Sequence, residues 1–198
     1  MSDLDSLRNL ELAPYILKAM ALINVHRKVG GNQFRHSFAT LGILLDYRYI
    51  NNSVLLKAAL LHDFLEDLPD IKVDEIRQID FESYRVVELV LEVTRLQHET
   101  KPEYLQRLLD FGSHNAKILK CADRISNLTD LHRDTHTEQK ITSYLDETEK
   151  YVLPMAKEVN EHLWYELSDL IKKRREIVIA TEHSLRYKMM RWLRLKRG

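Results

Sequence analysis

Leu60-Leu61-His62-Asp63-Phe64-Leu65-Glu66-Asp67 ends an apolar run that begins at Val54, and it carries four ionisable side chains. On a helix, residues four apart lie one above the other, which sets Glu66 over His62 and Asp67 over Asp63. A segment this apolar is suited to burial, and buried charge is costly without a counter-charge. A divalent cation supplies one, because imidazole and carboxylate together suit a first-row metal or a harder ion. The plainer reading is a helix end whose charges face water.

Two other stretches offer partners. His36 alone reads as a core or capping histidine and gains meaning only beside His62-Asp63. In Lys120-Cys121-Ala122-Asp123-Arg124-Ile125-Ser126-Asn127-Leu128, Asp123 and Asn127 are four apart and share a face. They border an apolar stripe of Ile118, Ala122, Ile125 and Leu128. The acid suits a metal and the amide a sugar or base; an Asp123–Arg124 surface pair is the alternative, and it would contribute little.

Val25-His26-Arg27-Lys28-Val29-Gly30-Gly31-Asn32 joins paired bases to paired glycines. Such a loop lets the backbone approach an anion closely, while Arg stacks on a planar base or forks onto phosphate and Lys acts as a point charge. A helix C-terminal cap with cations favoured by the dipole accounts for the same residues. His132-Arg133-Asp134-Thr135-His136 has metal-ligand residue types, but it follows a helix and precedes polar Thr137, Glu138 and Gln139. A solvated loop is its reading.

Helices position these groups. Gly and Pro are scarce, and apolar residues recur at spacings of three and four through most of the chain, so the fold class is all-α. Pro14 opens a helix with Leu17, Met20, Ala21 and Val25 on its apolar face. A second starts near Phe34 and carries Phe38, Leu41, Leu44 and Leu45 inward. Ser53 is the expected N-cap of the next, and Pro69 closes the segment after it. Further helices are expected over 74–79, over 82–96, from Pro102 to Gly112, over 114–131, and from Thr137 onward, with a kink or break at Pro154. From His162 the chain is helical and increasingly basic through Lys172-Lys173-Arg174-Arg175. Its last segment sets Leu185, Met189 and Trp192 among Arg and Lys. That helix is expected to dock on its own domain or to contact another copy; its apolar face is short for a membrane surface.

Thirty Lys and Arg balance thirty Asp and Glu, which gives no general argument for nucleic-acid binding. The one cysteine, Cys121, excludes an intramolecular disulfide and fits a reducing compartment. No apolar run approaches a membrane span, and the acidic start lacks a signal pattern. A cytoplasmic location is the expectation.

Taken in order, His36, His62-Asp63 and Asp123 form the H…HD…D pattern of the HD phosphohydrolase superfamily. Arg27-Lys28-Val29-Gly30 followed by His36 resembles the Arg-Lys-Ser-Gly…His segment of the RelA/SpoT-type alarmone hydrolases, which degrade (p)ppGpp. Residues 61–67 resemble their His-Asp-x-x-Glu-Asp motif, and Lys120 to Asn127 their Lys-Leu-Ala-Asp-Arg-Leu-His-Asn. Val93-Thr94-Arg95-Leu96 is similar to Val-Thr-Lys-Leu. Leu163 to Leu170 resembles the helix that follows the hydrolase domain in the long bifunctional members.

The resemblance implies an HD-domain helical bundle over 1–160, with a basic helical extension over 161–198 packed on the same domain. Since no synthetase domain follows, it implies a stand-alone hydrolase of the alarmone 3′-pyrophosphate that yields GDP or GTP and pyrophosphate. By the same resemblance, His36, His62, Asp63 and Asp123 hold one Mn²⁺, and Glu66 and Asp67 position and activate water. Arg27 stacks on guanine, Lys28 and Asn127 contact the nucleotide, and Tyr144 or Tyr151 supplies a further contact. The implied partner is a small nucleotide, with no nucleic acid, no membrane span and a homo-oligomer through the C-terminal helices. Where the family has Ser-Gly-Glu-Pro-Tyr, this chain has Val29-Gly30-Gly31-Asn32-Gln33, so an adenine alarmone or NADPH stays open. The Glu66-Asp67 pair argues against a nucleoside monophosphatase and against a silent nucleotide-binding regulator.

Overall fold

The computed structural model describes residues 10–68, 70, 72–131 and 136–195, with 182–195 described as backbone only. The expectations at Pro69, at His132 to Thr135 and for the side chains past Thr181 lie outside the described residues.

The first helix, α1 (Ala13–Ala19), carries Pro14 in its first turn and tightens into a 3-10 turn over Met20–Asn24. Its inward face is Tyr15, Ala19 and Leu22, whereas Leu17 is 68% exposed. Tyr15 fixes that rotation, because its hydroxyl donates to Asp80 Oδ1 at 2.9 Å. The expected face of Leu17 and Met20 is therefore corrected. Helix α2 (Gln33–Asp46) is capped by Asn32, which accepts from the Arg35 N–H, and Phe38 on it is partly exposed.

Asn52, not Ser53, caps α3 (Ser53–Leu61), accepting from the Leu55 N–H. Ser53 instead donates to Glu82 Oε1 at 2.6 Å. Val54 through Leu61 are all buried, Lys57 included. Its ammonium lies 2.7 Å from both Asp80 and Glu82, which meets the requirement that a buried charge be paired. Helix α3 stops at Leu61. His62 and Asp63 form a turn, and a single short turn, α4 (Phe64–Asp67), follows.

Next come α5 (Val73–Arg77) and α6 (Ser83–Val93). A reciprocal Thr100–Glu103 capping box opens α7 (Lys101–Phe111). Gly112 ends α7 in extended conformation, φ −62°, not left-handed. Glycine suits that position because a Cβ would come within 2.4 Å of the Leu108 carbonyl oxygen. Ser113 caps α8 (His114–Asp130), and Thr137 caps α9 (Glu138–Glu147). A π turn over Thr148–Val152 leads into α10 (Leu153–Val159), with Pro154 in its first turn, and α11 spans Glu161–Leu195.

Helix α8 lies at the centre, against α2, α6, α10 and α11, and α3 packs between α2 and α6. Leu163, Leu167 and Ile171 seat α11 in the core. Arg174 on α11 donates to the Leu128 and Thr129 carbonyls at 2.7 and 2.9 Å, which satisfies the free end of α8. Arg175 pairs with Asp146 and Glu149, so part of the basic run is used in docking. Among the described residues no helix is long and apolar enough to cross a membrane.

Candidate metal centre and nucleotide cavity

His62 follows the last residue of α3 and is buried. Its Nδ1 lies 2.8 Å from the Ala59 carbonyl oxygen. A carbonyl only accepts, so Nδ1 carries a proton, and Nε2 is the atom left to take a second proton or a metal ion. His36 arrives from α2, its Nδ1 2.9 Å from Ser126 Oγ and its Nε2 3.2 Å from His62 Nε2. Asp123, from α8, places Oδ1 3.1 Å from His36 Nε2 and 3.9 Å from His62 Nε2. Asp63 Oδ2 lies 3.5 and 3.3 Å from the same two nitrogens.

Two imidazole nitrogens facing each other at this distance need a shared proton or a cation between them. Donors of type N₂O₂, with both outer nitrogens hydrogen-bonded, fit a divalent ion. His36, His62 and Asp123 form a buried group of suitable metal-ligand spacing.

The local acids draw positive charge, a proton or a metal ion, onto these nitrogens. Burial opposes a charged His62, but Asp63 outweighs it and pushes the imidazole up to about 9. Burial also opposes ionisation of Asp123. Lys120, 2.7 Å from Oδ2, and the two imidazoles together hold the acid well below the usual carboxylate range.

Glu66 and Asp67 separate in space. Glu66 lines the same cavity as His62, and its Oε1 accepts the backbone N–H of Arg95 at 2.7 Å. Asp67 keeps its helical bond to the Asp63 carbonyl, and Oδ2 accepts from Gln33 Nε2 at 2.7 Å. Burial, Asp63 and Glu66 raise the Asp67 pKa above the usual range.

Two cavities meet here. One, of about 210 Å³, is lined by His62, Asp63, Glu66, Arg95, Lys101 and Asp123, among others. The other, of about 350 Å³, is lined by Arg27, Lys28, Gln33, Asp67, Asn127 and Tyr144, among others. Lys101 borders both. Arg27 donates to Asn127 Oδ1 at 2.7 Å and pairs with Asp130 at 3.4 Å. Asn127 in turn donates to Asp123 Oδ1 at 2.5 Å. The hairpin before α2 closes through a His26–Asn32 bridge, with Gly30 and Gly31 at φ 84° and 75°, a region open to glycine.

The sequence-derived residues thus converge, with one exception. Tyr144 lines the larger cavity, whereas Tyr151 is buried in the core and borders neither. Lys101, Lys120 and Gln33 also line these cavities and were not among the expected residues. Lys120 sits three before Asp123, a spacing that signals contact. Lys101 comes from the distant α7, and nothing in its local sequence marks it.

No protein-family model matches the chain. A Mus musculus protein named guanosine-3′,5′-bis(diphosphate) 3′-pyrophosphohydrolase MESH1 is 32% identical over 151 residues, covering 73% of this chain and 82% of its own length. The Homo sapiens protein of that name is 32% identical over 157 residues, with the same shares. A solved structure titled as a metazoan ortholog of SpoT that hydrolyzes ppGpp and plays a role in starvation responses superposes with a TM-score of 0.71 at 25% identity. That match covers 82% of this chain and 93% of the other. With its all-α architecture and its His-Asp cluster, the chain belongs to the HD-type guanosine-3′,5′-bis(diphosphate) 3′-pyrophosphohydrolase family.

Proposed function

We propose that this protein hydrolyses the 3′-pyrophosphate of (p)ppGpp, giving GDP or GTP and pyrophosphate, with one Mn²⁺ held by His36, His62, Asp63 and Asp123. The observation that carries this is the junction of the two cavities. The metal-type cluster and Glu66 line the smaller one, Asp67 and the Arg27–Asn127 pair line the larger, and Lys101 borders both. A nucleoside in the larger cavity then presents its 3′-phosphates to the cluster.

Bound metal supplies charge neutralisation at the phosphoryl group and a lowered pKa for water. The chain does the rest. Glu66, fixed by the Arg95 N–H, orients water toward the phosphorus attached to the 3′ oxygen. Asp67, with its pKa raised by burial and neighbouring acids, takes the water proton on Oδ1, since Oδ2 is occupied by Gln33. The new P–O bond forms as the bond from phosphorus to the 3′ oxygen breaks, and that oxygen leaves with a proton from solvent. Arg27, steadied by Asn127 and Asp130, stacks on the base, while Lys28 and Lys101 meet phosphates as point charges. Tyr144, with Lys101 4.6 Å from its ring centre, closes the same wall.

The same reading places the protein in the cytoplasm and takes the distal part of α11 as a contact between copies. Incubation of purified protein and Mn²⁺ with guanine and adenine alarmones, NADPH and nucleoside monophosphates tests it. Pyrophosphate from ppGpp, lost in Asp63→Ala, is the expected result. Orthophosphate from monophosphates, or binding with no turnover of any substrate, would overturn it.

A further inference from the structure

Gln33 stands where the family pattern has tyrosine, and its two amide atoms face different duties. Nε2 lies 2.7 Å from Asp67 Oδ2 and 3.4 Å from Asp63 Oδ2. Carboxylates accept and do not donate, so the amide is oriented: nitrogen toward the acids, oxygen away. That oxygen, Oε1, is buried without a hydrogen-bond partner, a state that costs free energy unless a ligand donor meets it. The residue itself is firmly held. It opens α2 behind the Asn32 cap, and its backbone N–H donates to the Val25 carbonyl at 2.9 Å. The Arg27-Lys28 hairpin and Gln33 are therefore tied together by a backbone hydrogen bond.

Gln33 also sits at a particular place along a bound nucleotide. It lines the cavity with Arg27, Lys28 and Asn127, while its nitrogen touches the acids beside the cluster. Between base and reacting phosphate lies the sugar. In a ribonucleotide phosphorylated at both 5′ and 3′ oxygens, the one sugar hydroxyl left is the 2′-hydroxyl.

We infer that Gln33 is a positioning and specificity residue that accepts the substrate's 2′-hydroxyl on Oε1 while Nε2 aims Asp67, so that ribose recognition and orientation of the acid share one amide. This rests on the hydrolase reading above. Its substrate class is a ribonucleotide 3′-pyrophosphate with a free 2′-hydroxyl, and the 2′-deoxy analogue is the poor substrate.

The test measures pyrophosphate release from guanosine 3′,5′-bis(diphosphate) and from its 2′-deoxy analogue, by the unmodified chain, Gln33→Met and Gln33→Glu, each with Mn²⁺ and each checked for a native melting transition. The unmodified chain should favour the ribose substrate about tenfold in kcat/KM, the scale of one hydrogen bond. Gln33→Met, lacking both amide atoms, should lower kcat on both substrates and bring the ratio to within about twofold of one. Gln33→Glu keeps an acceptor and loses the donor, so it should lower kcat yet retain preference for ribose. A ratio near one in the unmodified chain, or a tenfold ratio surviving in Gln33→Met, overturns the inference while leaving hydrolysis intact. No release from the ribose substrate by the unmodified chain removes the hydrolase reading, and this one with it.

Discussion

The backbone N–H of Arg95 donates to Glu66 Oε1 at 2.7 Å, so an acid on α4 is held by the chain that leaves α6. Arg107 on α7 organises that segment. Its guanidinium forks onto Glu99 at 2.6 and 3.1 Å and donates to the Glu92 and Thr94 carbonyls, each at 3.2 Å. Glu99 also accepts from the Leu96 N–H at 3.0 Å, and the Tyr104 hydroxyl reaches the Val93 carbonyl. With its carbonyls drawn toward α7, the segment leaves the Arg95 N–H for Glu66.

Arg107→Met should lower stability by about 2 kcal/mol, the scale of hydrogen bonds to a charged group. It should also lower kcat for pyrophosphate release about tenfold with little change in KM. Urea unfolding and steady-state kinetics measure the two effects. A loss of stability with unchanged kcat would mean that the loop does not position Glu66.

The cluster of two imidazoles and two acids should respond to metal in the absence of substrate. A ligand that binds only the folded chain stabilises it by about 2.7 kcal/mol at a hundredfold excess over Kd. Mn²⁺ should therefore raise Tm of the chelator-treated protein by several degrees, and Asp123→Ala should abolish that rise. An equal rise in the variant would place the bound ion elsewhere.

Lys101 borders both cavities, pairs with Glu147 at 2.6 Å and has its pKa lowered, chiefly by burial. If it contacts phosphate in ground and transition states alike, Lys101→Met should raise KM and leave kcat nearly unchanged. Arg27→Ala should behave the same way, whereas Glu66→Ala should lower kcat. Reversed signatures in the kinetics would exchange the binding and chemical roles assigned to these residues.

Lys57, which lines neither cavity, sets an acid limit on the fold. Burial opposes ionisation of both Asp80 and Glu82, but Lys57 outweighs it and lowers their pKa values. Groups with depressed folded-state pKa values stabilise above their unfolded values, near pH 4, and that contribution is lost as pH falls through the folded values. Unfolding free energy measured from pH 6 down to pH 2 should fall across this window. Lys57→Met should cost roughly 3 kcal/mol at neutral pH and flatten the acid limb; an unchanged pH profile in that variant would assign the limb to other carboxylates.

Helix class was legible from local spacing, whereas the convergence of His36, His62, Asp63 and Asp123 was legible through the family resemblance, because the three segments lie far apart in the chain. The break at Leu61 was not. An apolar run continuing into Phe64 and Leu65 reads as one helix, and nothing in its residue types marks the turn at His62-Asp63. The partner of Glu66 on the chain after α6, the Arg95 N–H, is likewise a tertiary contact. Tyr144 and Tyr151 are seven apart, about two turns of an unbroken α-helix, so the choice between them stayed open. The π turn over Thr148–Val152 changes that phase, and the structure sends one ring to the cavity and the other to the core. Lys101 and Arg107 act through tertiary contacts that no short pattern encodes, and the inward face of α1 followed a tyrosine whose partner is Asp80.

The single thiol of Cys121 is buried in α8, two positions before Asp123, and burial pushes its pKa upward. Maleimides and similar reagents attack thiolates, so this sulfur should stay silent in the native protein. The natural chain is thus already a blank background for fluorescent labelling. A cysteine placed at exposed Phe81 or Phe111 would be the sole reactive handle, ready for distance measurements without first removing anything.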